Sequence, residues 1–196
     1  MADYDPRAWE ILVNDYQKLM EYVDPDDRNL DAYSHQIFEL LCRVCIDFDH
    51  VCLIMYLKLN SSVPYRSYKN LKMSHFKRFF TTNHPALLKD EVGLLFWKDP
   101  SLKFISPLID WDRNKKLSWF EAYNLSKHFI GANFSQASMK NLTLAISGLY
   151  LLLQSHMSTS FFQPYSTNRS TGGSSSASGV RTKRIDGQVF VIRTTV

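Results

Sequence analysis

The chain has 196 residues, 45% of them hydrophobic, with 7 Gly, 7 Pro and a formal net charge of +4. That length and apolar content suffice for one domain with its own core, and they exclude both a disordered polyelectrolyte and a small scaffold dependent on disulfides. The charge is local: from Pro164 to Val196 five basic residues face one acidic residue, which leaves 18 of each sign in the preceding 163 and excludes a uniformly basic, polyanion-binding domain.

Asp5 and Pro6 place a capping residue and a first-turn proline at the head of a helix, and Trp9, Leu12, Val13, Tyr16, Leu19, Met20 and Val23 continue it at spacings of three and four. Asp24-Pro25-Asp26-Asp27 stops it, so a helix is predicted over 6–23. A second helix is predicted over 30–59, with Asn29 or Asp31 near its start. Its seam of Ile37, Leu41, Val44, Phe48, Val51, Met55 and Leu59 keeps one line and suits lengthwise packing on a partner helix. Cys42, Cys45 and Cys52 all fall in it. Cys42 and Cys45 form a C-x-x-C with no second pair to complete a zinc site, so the three read as small buried hydrophobes rather than metal or redox ligands. Their odd number suits a reducing, cytoplasmic setting. No basic and apolar leader follows Met1, so no signal peptide is expected, and the longest apolar runs, 51–57 and 142–153, are too short to span a bilayer.

Between 60 and 115 the periodicity weakens. Ser74 to Phe80 reads as a short helix capped by Ser74 and stopped by His84-Pro85. Val92 to Trp97 suits a strand or a buried irregular segment, and Phe104 to Trp111 an extended connection. The span is read as a long irregular insertion on a helical scaffold. Ser118 followed by Glu121 is a capping-box pattern, which starts a helix at Trp119 running to about Ile130, with Gly131 and Asn133 as its stop. A last helix is expected from Gln136 to Met157. Between Asn141 and Ser155 it has no Asp, Glu, Lys or Arg, which places it at the centre of a bundle. Ser166 to Ser178 is Ser/Gly/Thr-rich linker sequence, and Gln188 to Ile192 has strand propensity, suited to an edge in its own sheet or on a partner. The expected division is a helical domain over 1–162 and a linker with a basic tail over 163–196. Within that tail Arg181-Thr182-Lys183-Arg184 suits a solvated segment or a phosphate-binding arm.

Polar and aromatic residues crowd together at Trp119 to Phe129, just ahead of the apolar last helix. Trp119, Ala122-Tyr123-Asn124 and Lys127-His128, followed by Phe134, Ala137 and Asn141, resemble the W-x-x-A-Y-N-x-x-K-H signature of a group of bacterial proteins related to the HEPN (higher eukaryotes and prokaryotes nucleotide-binding) superfamily. Tyr33-Ser34 and the helix after them resemble that group's second-helix region. The resemblance covers 30–60 and 117–155. It implies an all-α, antiparallel helical bundle, usually a homodimer, of a kind found in bacterial defence and toxin–antitoxin type systems, where many members are metal-independent ribonucleases with no cofactor. In such a site a His acts as acid or base while an Arg five to seven residues earlier steadies the phosphate. Here those earlier positions are Glu121, Ala122 and Tyr123, so the Arg is missing. Arg28/His35, Arg43/His50 and Arg78/His84 match the spacing elsewhere, at a frequency that chance explains.

The site residues implied by the resemblance are Asn124, Lys127 and His128 as the catalytic set, with Tyr123, Arg113 and Trp119 as substrate contacts and no metal. On a helix Asn124 and His128 share one face and Lys127 stands one position off it. Asn124 can hydrogen-bond a phosphate or orient an imidazole, and Lys127 or Arg113 would supply the charge. Plainer readings stand beside these: Trp119, Tyr123 and Phe129 as core, His128 as a favourable end to the helix dipole, and Asn124 as a lock on the turn between helices. Two functions are expected from these readings. One is binding or cleavage of RNA; the other is a non-catalytic scaffold or regulatory subunit that docks on a protein partner through its helical face and C-terminal tail.

Overall fold

Asp5 caps the first helix as predicted. In the computed structural model, which describes residues 4–60, 70–98, 103–156 and 190–193, the Asp5 carboxylate accepts the Arg7 N–H at 3.0 Å and Pro6 opens α1 (Pro6–Leu19). Turns carry the backbone bonding on to Val23, which donates to the Leu19 carbonyl. The second helix, α2 (His35–Leu59), begins later than the predicted residue 30. Its cap is Ser34, whose Oγ accepts the Ile37 N–H at 3.2 Å. The earlier start fails because Asp26 and Arg28 bind each other and tighten Asp27–Asn29 into a 3-10 turn, with the Asn29 amide donating back to the Asp24 carbonyl.

After α2 come α3 (Met73–Asn83), β1 (Glu91–Leu94), β2 (Lys103–Ile105), α4 (Ile109–Asp112), α5 (Ser118–His128), α6 (Ile130–Asn133), α7 (Met139–His156) and β3 (Phe190–Arg193). The molecule is mostly helical, with α1, α2, α5 and α7 as its bundle. Tyr4 meets Asp47 and Asp15 meets Arg43, so α1 runs against α2. Tyr16 meets Thr143 and Trp9 stacks on Tyr150, so α1 also runs against α7. Helices successive in the bundle are therefore antiparallel, while α2 and α7 lie side by side in the same direction. Every residue from Ala145 to Leu153 is buried, as a charge-free helix requires. Each aliphatic side chain sealed between α2 and α7, among them Val44, Val51, Ile146 and Leu149, contributes roughly 1.5–3 kcal/mol. The head of α7 is closed by other backbone: the Ala32 and Leu30 carbonyls accept the Met139 and Lys140 N–H groups, both at 2.8 Å.

The insertion is more regular than its sequence periodicity. α3 starts at Met73 with Lys72, not Ser74, at the cap position, and stops at Asn83 before His84-Pro85. It buries Phe76, Phe79 and Phe80, two of them edge-on to Tyr56 of α2. Of the expected extended connection only Phe104 and Ile105 are strand; Ile109–Asp112 turns helical and stacks Trp111 on Phe80 at 5.5 Å. Elements this short hold too few residues to display a period. The strands form one sheet in the order β2-β1-β3, with both pairings antiparallel. The Trp97 indole N–H donates to the Asp27 carboxylate at 2.9 Å, and Lys98 and Lys103 pair with Asp24 and Asp27, so the sheet is tied to the α1–α2 connection. Phe190 of β3 is 2% exposed, surrounded by Trp9, Tyr16, Phe96 and Tyr150. The expected terminal strand thus forms in the chain's own sheet over 190–193; residues 166–178, Gln188 and Val189 lie outside the described residues. Among the described residues no helix is long and apolar enough to cross a membrane.

Candidate functional site

The stretch 117–129 starts with a cap other than the predicted one. Ser118 is already helical, and its N–H donates to the Asp110 carboxylate at 3.0 Å. Glu121 turns outward to Lys116 at 2.8 Å. The capping box does not form, because α4 carries Asp110 to the open amide first. The predicted single helix to residue 130 also breaks, with Phe129 in a non-helical conformation between α5 and α6.

Trp119 lies in the core. It is 1% exposed, its ring meets Phe48 edge-on at 4.9 Å, and its N–H donates to the Pro107 carbonyl at 2.9 Å. It presses on Gly148 of α7, where a Cβ would come within 3.2 Å of its ring. A residue so enclosed has no face for a substrate. Tyr123 is 5% exposed and packs edge-on against Phe120, which likewise removes its ring as a stacking platform. Its hydroxyl accepts from the Lys127 ammonium at 3.2 Å, and that ammonium sits 5.2 Å from the ring centroid. The bond to Tyr123, with Cys42 and Asp49 near by, pushes the Lys127 pKa up, so Lys127 is a fixed cation and an unsuitable general base.

Asn124 and His128 share a face but have different surroundings. Asn124 is half-buried and lines a groove of about 640 Å³ between α3 and α5. His128 is exposed at the end of α5, with no hydrogen-bond or ion-pair partner among the described residues, and it does not line that groove. Arg113 is exposed where α4 ends, also outside the groove. One turn therefore brings together Tyr123 and Lys127, while Asn124, Lys127 and His128 do not converge on a common point within one chain.

The groove has an apolar floor of Met73, Trp111, Leu117, Phe120 and Leu125, and its polar lining includes Lys72, Lys77 and Lys116 against the one carboxylate of Glu121. Lys77 is held in place by donating to the Asn114 carbonyl at 3.0 Å. Asn114 takes a positive φ of 57°, a conformation asparagine tolerates, and so turns the chain from α4 toward α5. No family model, curated protein or solved structure matches this chain. The groove and its lysines rest on the chain's own geometry.

Sequence reasoning missed Lys72, Lys77 and Lys116 because they come from segments far apart in the chain, and Lys77 by itself reads as a solvated charge. Two of the three Arg/His spacings have their arginine engaged elsewhere: Arg28 holds Asp26 at 2.8 Å and Arg43 holds Asp15 at 2.6 Å. The three thiols are free, with Cys45 and Cys52 buried and Cys42 half-buried, and burial pushes all three pKa values up. Protonated thiols of this kind are packing groups. Among the described residues no three His, Cys, Asp or Glu side chains gather as a metal site.

Proposed function

We propose that this chain is a HEPN-like RNA-binding protein of a bacterial defence or toxin–antitoxin type system, working in the cytoplasm, with the α3–α5 groove as its RNA contact. The observation that supports this reading is the groove's composition. An apolar, partly aromatic floor under a rim of three lysines offers a stacking surface to a base and cations to its phosphates, the combination that holds single-stranded nucleic acid. Asn124 adds a neutral donor and acceptor on the α5 side. Changing Lys72, Lys77 and Lys116 together to Gln should weaken binding of a single-stranded RNA oligonucleotide, measured by fluorescence anisotropy. It should also flatten the salt dependence, by about 0.7 in the log–log slope for each phosphate that is no longer neutralised. An unchanged affinity and slope would sink the proposal.

Binding is supported more directly than cleavage, since His128 stands apart from Asn124's groove and no Arg lies near it in sequence. Cleavage then requires a second copy to complete the site, as a homodimer would. Equal cleavage of RNA by wild type and His128→Ala, or none by either, removes the nuclease form. A scaffold reading has its own observation: Leu125 and Phe129, one turn apart beside His128, are 44% and 65% exposed, an apolar pair suited to a protein contact. Sedimentation of wild type and Phe129→Glu tests whether this pair serves a contact between two copies, because a dimer built on this face dissociates in the variant.

A further inference from the structure

β3 is a short strand, yet it completes the core. Tyr150, near the end of α7, touches Phe190 directly, although residues 157–189 could extend about 100 Å at roughly 3.3 Å per residue. Much of that intervening sequence, 166–178, is Ser/Gly/Thr-rich. The strand therefore reaches its place through far more chain than the distance requires, which is how a tethered ligand is joined to its site.

Two contacts define what the site accepts. The backbone of 190–193 adds to the edge of β1 in antiparallel register, Leu94 opposite Phe190 through Glu91 opposite Arg193. That is the pattern of recognition by strand addition, in which main-chain bonds supply affinity and alternate side chains supply specificity. Phe190 enters a pocket walled by Trp9, Tyr16, Phe96 and Tyr150, with centroids 5.2 to 6.3 Å away, and the Tyr150 hydroxyl donates to its carbonyl at 3.2 Å. Ile192, two positions on, is half-buried against the same core. The walls are joined by bonds that do not involve the strand: Tyr16 to Thr143 at 2.7 Å fixes α1 on α7, and Trp97 to Asp27 fixes the turn after β1. The pocket can therefore outlast departure of its occupant.

We propose that the β1 edge and this aromatic pocket form a strand-addition groove for extended peptides of the pattern aromatic–x–aliphatic, and that Phe190–Arg193 is its resident ligand, exchangeable for such a peptide from another protein. Tethering gives the resident an effective concentration in the millimolar range. The groove is thus closed to weak competitors and opens to a partner that binds tightly or to a chain cut between the helical unit and the strand.

The test uses the full chain with a protease site inserted between Gly173 and Ser174, cleaved after purification. The nicked protein should keep its helical circular dichroism and bind a fluorescent peptide of residues 186–196 while releasing its own fragment. The uncut chain should bind that peptide on the order of a hundredfold more weakly. A peptide carrying Phe190→Ala should bind at least about tenfold more weakly than the native one, the loss expected of a buried aromatic anchor. Failure of the fragment to exchange, collapse of the helical signal as it leaves, or equal binding by the Phe190→Ala peptide would each overturn the proposal. In the uncut chain, Phe190→Ala should admit the native peptide more tightly than wild type does; equal affinity of the two chains would count against it in the same way.

Discussion

Trp119 and Gly148 show how much a single contact decides here. On an exposed helical turn Gly→Ala stabilises by about 0.5–1 kcal/mol, because alanine loses less conformational freedom on folding. At Gly148 the new methyl would meet Trp119, which cannot retreat: Phe48 backs its ring and Pro107 holds its N–H. Gly148→Ala should therefore cost about 1 kcal/mol in denaturant unfolding, the overpacking loss exceeding the helix gain. In a Trp119→Phe background the cost should shrink, and additive losses would show that the two do not touch. His84 supplies a pH signature. It lies half-buried against Phe79 and Phe80, at 5.6 and 5.7 Å, and burial pushes its pKa below the usual imidazole value. The unfolded chain then takes up the proton more readily, so stability is full above about pH 6.5 and falls as pH drops below it. The Tm lost between pH 7.5 and 5.5 should be smaller in His84→Gln than in wild type. The site was partly legible at this scale. The sharing of a face by Asn124 and His128 follows from helical spacing, as does the core reading of Trp119 and Tyr123, whereas the exposure of Phe129, read with them as core, follows from no local pattern.

At the scale of elements, caps explain which predicted boundaries move. Asp5-Pro6 met no competition, and α1 starts where the sequence places it. Ser118 had the right partner in Glu121, but Asp110 reached its amide from another segment and Lys116 drew Glu121 away. Ser34 is the cap that propensity passed over in favour of Asn29 and Asp31, since those two stand in a region whose turn is held by Asp26 and Arg28. Ser34→Ala should lower stability by about 1 kcal/mol without changing the denaturant slope. A loss below about 0.3 kcal/mol would mean that tertiary contacts alone hold the head of α2. The central position of α7 was legible from its lack of charge, because a helix apolar on all sides can only be sealed on all sides. α3 and the terminal strand were legible as short elements, whereas α4 and the pairing of the sheet were not, since Trp111 owes its place to Phe80 and Phe190 owes its place to Trp9 and Tyr16, across long separations in sequence.

For the whole molecule, the strand that lies farthest along the described chain fills one pocket of the core with Phe190 and adds to its stability. Phe190→Ala should cost about 3–5 kcal/mol, a large part of the roughly 5–15 kcal/mol by which a domain of this kind is stable. A calorimetric loss under 1 kcal/mol would show that the pocket collapses readily around the gap. The same placement sets a schedule for synthesis. Trp9 and Tyr16 are made early, but Tyr150, the last wall of the pocket to be made, precedes Phe190 by 40 residues, about two to eight seconds at 5–20 residues per second. For that time a pocket walled by four aromatic rings awaits its filling, so the newborn chain passes through a stage at which a chaperone, or a neighbouring chain on the same message, can reach its interior before its own tail does.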